Sequence, residues 1–180
     1  MTKKTKMKTT NTKGIKLIVI AMAALITFGS CSGGYSFTGA SIPAEAKTLS
    51  LSQFPNYAAT VNPQLSQKMY EGLRSLYESQ TNLSITSSDG DLQVEGEITG
   101  YSTTAAALSS NDNVATNRLS ITVKIKFVNQ MEPKADFEQT FSRYKDYDAS
   151  RDFSSVENGL VEEIVTELTE DIFNKTVVNW

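Results

Sequence analysis

Residues Arg118–Gln130 read RLSITVKIKFVNQ, and this stretch settles the kind of fold the chain encodes. Leu119, Ile121, Val123, Ile125 and Phe127 alternate with Arg118, Ser120, Thr122, Lys124 and Lys126. Strict alternation over ten residues is the signature of a β-strand with one dry and one wet face. Such a strand cannot stand alone, because its apolar row needs a cover.

The flanking sequence supplies candidates for that cover. Lys47–Phe54 (KTLSLSQF) alternates Leu49 and Leu51 with Thr48, Ser50 and Ser52, and Pro55 ends it. Asn62-Pro63 reads as an N-cap followed by proline in the first turn, and Leu65, Met69, Leu73 and Leu76 share a stripe, which predicts a helix over Pro63–Gln80. Asn82–Thr86 is a short strand and Ser87–Gly90 a turn. Leu92, Val94 and Ile98 then alternate with Gln93, Glu95 and Glu97 in a further strand. Ser102–Asn117 loses all periodicity and reads as a long mobile loop. Beyond Pro133 a last strand is expected over Asp136–Tyr144. Ser154-Ser155-Val156-Glu157 has capping-box spacing, and Val156, Leu160, Ile164, Val165, Leu168 and Ile172 define an amphipathic helix to about Asn174. The expected architecture is α+β, a single domain with two helices packed on one face of a mainly antiparallel four-stranded sheet.

The N-terminal region has a different character. Met1–Lys16 holds six lysines and no acid, Leu17–Phe28 is apolar apart from Thr27, and Gly29-Ser30 precedes Cys31, the one cysteine of the chain. Charge, length and order are those of a secretory signal peptide, and twelve apolar residues are too few to span a bilayer as a helix. Small residues before a lone cysteine resemble the bacterial lipobox, with Phe28 where leucine is usual. The reading is a lipoprotein signal peptide over 1–30, a lipidated Cys31 carrying acyl chains such as palmitate, a flexible leader over 31–46, and a folded domain over 47–180. Ser32 after the cysteine is, by resemblance to other lipoproteins, the residue usual for sorting to the outer membrane. Without residues 1–30, 11 basic side chains face 20 acidic ones. That excess of negative charge argues against nucleic acid as a partner and against general adhesion to anionic lipid, both of which favour a positive field.

Catalytic constellations are scarce. The chain has no histidine, so Ser-His-Asp and Cys-His arrangements and histidine-containing metal sites are excluded. Asp89-Gly90-Asp91 and Asn111-Asp112-Asn113 are read as turns, since neither continues with EF-hand ligands. Glu95 and Glu97 fall on one strand face about 7 Å apart, near the spacing of an inverting glycosidase pair. Gly96 and Gly100 provide no apolar wall to raise a carboxyl pKa, and the two are read as charges on an exposed face. No cofactor is expected. Two features point to binding: Arg118, Lys124 and Lys126 form a basic stripe suited to phosphates or carboxylates, with pairing to Glu138 or Glu97 as the alternative. Phe173 and Trp180 near the C-terminus either pack under the sheet or anchor a partner.

The ordered segments GGYSFTGASIP, KTLSLSQFPN, LQVEGEITGY, RLSITVKIKFVNQ, FEQTFSRYKDYD and EEIVTELTEDIFNKTVVNW resemble the LptE family of lipopolysaccharide-assembly lipoproteins across nearly the whole of the chain after Cys31. The resemblance implies two helices on a four-stranded sheet. It also implies a non-enzymatic outer-membrane lipoprotein on the periplasmic side that plugs the β-barrel LptD and assists lipopolysaccharide insertion into the outer leaflet. Arg118, Lys124 and Lys126 are then the candidate lipopolysaccharide contacts. A periplasm-facing lipoprotein acting as a solute-binding or secretion-accessory module is the alternative, and it calls for a discrete apolar pocket. Mass spectrometry of the mature N-terminus is expected to find a diacylated or triacylated Cys31; a mature chain starting elsewhere with a free thiol contradicts the lipobox.

Overall fold

The computed structural model describes residues 42–43, 45–106 and 115–177. The signal peptide, Cys31, most of the leader, Asn111-Asp112-Asn113 and Trp180 lie outside the described residues. The elements are β1 (Thr48–Leu51), α1 (Leu65–Gln80), β2 (Ser84–Thr86), β3 (Leu92–Ala105), β4 (Thr116–Asn129), β5 (Phe137–Asp148) and α2 (Phe153–Val177). A short 3-10 turn at Pro133–Ala135 precedes β5.

The sheet has five strands in the order β2-β1-β3-β4-β5. The expectation of four mainly antiparallel strands is corrected: β1 pairs in parallel with both β2 and β3, whereas β3, β4 and β5 are antiparallel. The added strand is β2, three residues long, which α1 returns to the side of β1 as a crossover requires. Periodicity identifies such a segment but is silent on its neighbours.

Because β1 lies between β2 and β3, the connection from Thr86 to Leu92 must cross β1. Gly90 makes the crossing. A Cβ there would stand 2.3 Å from the Ser50 nitrogen and 2.8 Å from the Leu49 carbonyl carbon, so only glycine fits without displacing backbone. Asp89 takes φ 55° to turn the chain in. Asp91 then locks the arrangement: one carboxylate oxygen accepts from the backbone N–H groups of Lys47 (2.8 Å) and Thr48 (2.9 Å) and from the Thr48 hydroxyl (2.9 Å). The Asp-Gly-Asp turn is thus a clamp between β1 and β3, and these bonds hold the Asp91 carboxyl below its ordinary range.

β3 is longer than alternation predicts, because a register shift between Ile98 and Gly100 breaks the pattern. Before it Leu92, Val94 and Ile98 point to the core; after it Tyr101 does. Ser102–Ala105 and Thr116–Asn117, expected as loop, extend the β3–β4 ladder, which ends at Ala105↔Asn117. Residues 107–114 lie outside the described residues. β5 likewise runs four residues past the expected Tyr144.

Both helices cover the apolar face of the sheet. Leu119, Ile121, Val123, Ile125 and Phe127 are all buried with the inward residues of β1 and β3 and the helical rows of α1 and α2. The helices run parallel, since Asn62 before α1 donates to Glu157 in the first turns of α2 (2.8 Å) and Tyr77 near the end of α1 meets Thr176 near the end of α2. Glu157 does not close the expected capping box: it accepts from Asn62 and from the Tyr101 hydroxyl, joining α1, α2 and β3, while Asp152 accepts from Ser154. Phe173 is buried edge-to-face against Tyr77, with centroids 5.2 Å apart, so of its two readings it takes packing under the sheet.

One further glycine is dictated by packing. On the inner face of β3, Gly96 is covered by the Phe54 ring, which is 1% exposed, and a Cβ at Gly96 would lie 2.1 Å from Phe54 Cε1. Gly96→Ala is therefore expected to lower unfolding free energy by about 1–3 kcal/mol, the usual cost of overpacking a core. On a Phe54→Ala background the same substitution should add little, because the opposing ring is gone; denaturant melts of the four variants measure the coupling.

Candidate ligand-contact face of the sheet

The face of the sheet turned away from the helices carries the basic stripe. Along β4, alternation presents Arg118, Ser120, Thr122, Lys124 and Lys126 on this outer face, and register places Asp146, Tyr144, Ser142, Thr140 and Glu138 of β5 opposite them in turn. On β3 the matching residues are Thr104, Ser102, Gly100, Glu97 and Glu95.

Each cation of the stripe has a carboxylate partner. The Arg118 guanidinium donates from Nε (2.7 Å) and Nη2 (2.9 Å) to the two oxygens of Asp146 and lies 3.6 Å from the centre of the Tyr144 ring. Lys124 Nζ is 2.5 Å from Glu138 Oε1, and Lys126 Nζ is 3.4 Å from Glu95 Oε2. The alternative pairing with Glu138 is therefore realised, and Glu97 sits in register with Lys124 without an ion pair of its own among the described residues. Tyr144 remains 51% exposed.

The stripe is not one site. Six residues of strand separate Arg118 from Lys124, about 20 Å at strand rise. Between them lies a hydroxyl field in which Thr122 and Ser142 meet at 3.0 Å. Lys124 and Lys126 are brought together with Glu95, Glu97 and Glu138; Arg118 stands apart with Tyr144 and Asp146. Reading β4 alone does not reveal Tyr144 or Asp146. Period two in FEQTFSRYKDYD places both on one face, but only register sets them opposite Ser120 and Arg118.

The inner side of β5 carries a second set of charges that alternation on β4 does not announce. Arg143 Nε is 2.6 Å from Asp171, and Lys145 Nζ lies 2.6 Å from Glu167 and 3.3 Å from Glu163, so ion pairs fasten α2 over the edge of the sheet. Among the described residues, no helix is long and apolar enough to cross a membrane, and no group of three His, Cys, Asp or Glu side chains is placed to hold a metal ion.

The model of the lipopolysaccharide-assembly family LptE matches residues 46–176, from just ahead of β1 to the last turn of α2. The chain belongs to the LptE family. Among solved structures, this LptE-family chain is similar to a Xanthomonas campestris protein at 10% identity and TM-score 0.52, over 77% of this chain and 87% of that one. It is also similar to a minor lipoprotein from Acinetobacter baumannii (15% identity, TM-score 0.48, 72% and 91% covered) and to the rare lipoprotein B from Shewanella oneidensis (15% identity, TM-score 0.46, 68% and 90% covered). The Xanthomonas likeness bears on the fold alone. No curated protein matches the sequence.

The hydrogen bond from Arg118 holds the Asp146 carboxyl below the ordinary carboxylate range, and that from Lys124 does the same for Glu138. A depressed carboxyl contributes stability that is present above its ordinary range and is lost as pH falls through the lowered value. Carboxyl NMR titration is expected to find both midpoints below ordinary values, with Asp146 returning toward normal in Arg118→Gln and Glu138 in Lys124→Gln. Ordinary midpoints in the parent chain would show the pairs unformed in solution.

Proposed function

We propose that this LptE-family chain is a non-enzymatic outer-membrane lipoprotein, anchored through an acylated Cys31, that sits within an LptD-like β-barrel and assists insertion of lipopolysaccharide into the outer leaflet. The family match across residues 46–176 is the observation that carries this reading. The outer sheet face supports it physically. Arg118, Lys124 and Lys126 offer three cations whose ion pairs are part-exposed and therefore screened by solvent, so a phosphate competes for them on favourable terms. A face of short hydroxyls and paired charges also suits contact with the polar wall of a large barrel, where a polar interface with trapped water is the norm.

In this reading the work is binding and positioning. The helices hold the sheet rigid from behind, and the outer face meets glycolipid and barrel in front. Affinity purification from membranes is expected to recover a large β-barrel and lipopolysaccharide together. Replacing Arg118, Lys124 and Lys126 together with glutamine should weaken lipopolysaccharide binding roughly tenfold or more while the barrel still co-purifies and the melting temperature hardly moves. Recovery of neither partner would sink the assignment, and unchanged lipopolysaccharide binding in the triple variant would reduce the stripe to a solvated strand face.

A further inference from the structure

The chain that pairs with β3 is broken in one place. β1 leaves the ladder after Leu51↔Val94, with the Ser52 N–H donating to the Val94 carbonyl at 3.1 Å. Pairing resumes at Asn56↔Ile98, where the Ile98 N–H donates to the Pro55 carbonyl (2.9 Å) and the Tyr57 N–H to the Ile98 carbonyl (2.8 Å). The incoming chain thus has one more residue than β3 over this interval, and residues 52–55 arch away, as at a bulge. Gly96 has the parity of Val94 and Ile98, so its N–H and C=O face the arch. No backbone hydrogen bond among the described residues joins it to residues 52–55.

The arch leaves an open cavity of about 400 Å³ on the outer face, walled by Ser52, Gln53 and Pro55 and floored by Gly96. Across the floor stand Lys124 and Lys126 with Glu95, Glu97 and Glu138. Two of those carboxylates are engaged by the lysines, and Glu97 has no ion-pair partner among the described residues. A purely anionic ligand would meet three carboxylates here, and a purely cationic one two ammonium groups. A ligand carrying both charges across a short linker satisfies both, since neighbouring strands lie only about 4.8 Å apart. The Gly96 peptide, facing the arch, adds one donor and one acceptor on the β1 side of the groove.

We propose that this groove binds an aminoalkyl phosphate headgroup, with the phosphate against Lys124 and Lys126 and the ammonium against Glu97. The inference deepens the proposed function, on which it rests, by naming headgroup chemistry that either a glycolipid substituent or a phospholipid can carry. The half-exposed lysine pairs open to admit the phosphate, and Glu97 selects for the amine.

The test is an amide-shift titration of the purified full chain with phosphoethanolamine, inorganic phosphate and ethanolamine separately. Phosphoethanolamine is expected to move the Gly96 and Glu97 amides and to bind about tenfold more tightly than phosphate, a difference one charged contact supplies. Glu97→Gln should abolish that preference without weakening phosphate, and Lys124→Gln should weaken both. Equal affinities in the parent chain, or a preference that survives Glu97→Gln, overturn the proposal. Co-sedimentation with phosphatidylethanolamine vesicles against phosphatidylglycerol vesicles and against lipopolysaccharide then assigns the source; binding to neither the amine-bearing vesicles nor the glycolipid also overturns it. Loss of the preference while lipopolysaccharide and barrel still co-purify removes this inference alone, whereas their absence removes the proposed function.

Discussion

The apolar row of β4 is the constraint on which the rest of the molecule depends. Leu119, Ile121, Val123, Ile125 and Phe127 are all buried, and each such side chain contributes about 1.5–3 kcal/mol when taken from water. The row as a whole is therefore on the order of the entire net stability of a domain. It can be realised only if β3 and β5 flank β4 and two helices close over them. The parallel placement of α1 and α2, tied at one end by Asn62, Glu157 and Tyr101 and at the other by Tyr77, Phe173 and Thr176, is the geometry that closes it. Gly72 lets the helices approach there, its absent Cβ facing Thr169 Cγ2 at 3.1 Å.

Burying one face of the sheet so thoroughly leaves the other free for contact. Among the described residues no helix covers it, and its polar residues are short hydroxyls and charges that pair across strands. Those pairs do little for the fold because solvent screens them. They hold Arg118, Lys124 and Lys126 oriented on the outer face beside Asp146, Glu138 and Glu95. The charge pairs on the inner side of β5 have a different task, since Arg143 and Lys145 tie α2 to the sheet edge where apolar residues run out.

The backbone irregularities cluster where the chain must change neighbours. Gly90 crosses β1, the residues before Asn56 arch away from β3, and a register shift follows Ile98. The first two follow from placing a parallel β1 beside β3, and the third lies in the antiparallel β3–β4 ladder. Phe54, pressed onto Gly96, seals the inner side of the arch, so the same deviation that closes the core opens the groove outside it.

What the sequence by itself determined was the set of elements and their sidedness. Alternation on β4, the stripes of α1 and α2 and the absence of histidine are local properties, legible because side-chain direction repeats with period two or 3.6. The basic stripe and the chance that it pairs with Glu138 were legible on the same grounds. Only the tertiary structure decided the neighbours: β2 beside β1, Asp146 opposite Arg118, Glu157 turned to Tyr101 instead of its own cap, and Phe54 over Gly96. These depend on register and on contacts between residues dozens of positions apart, and a period read along one strand carries no information about which strand lies next to it.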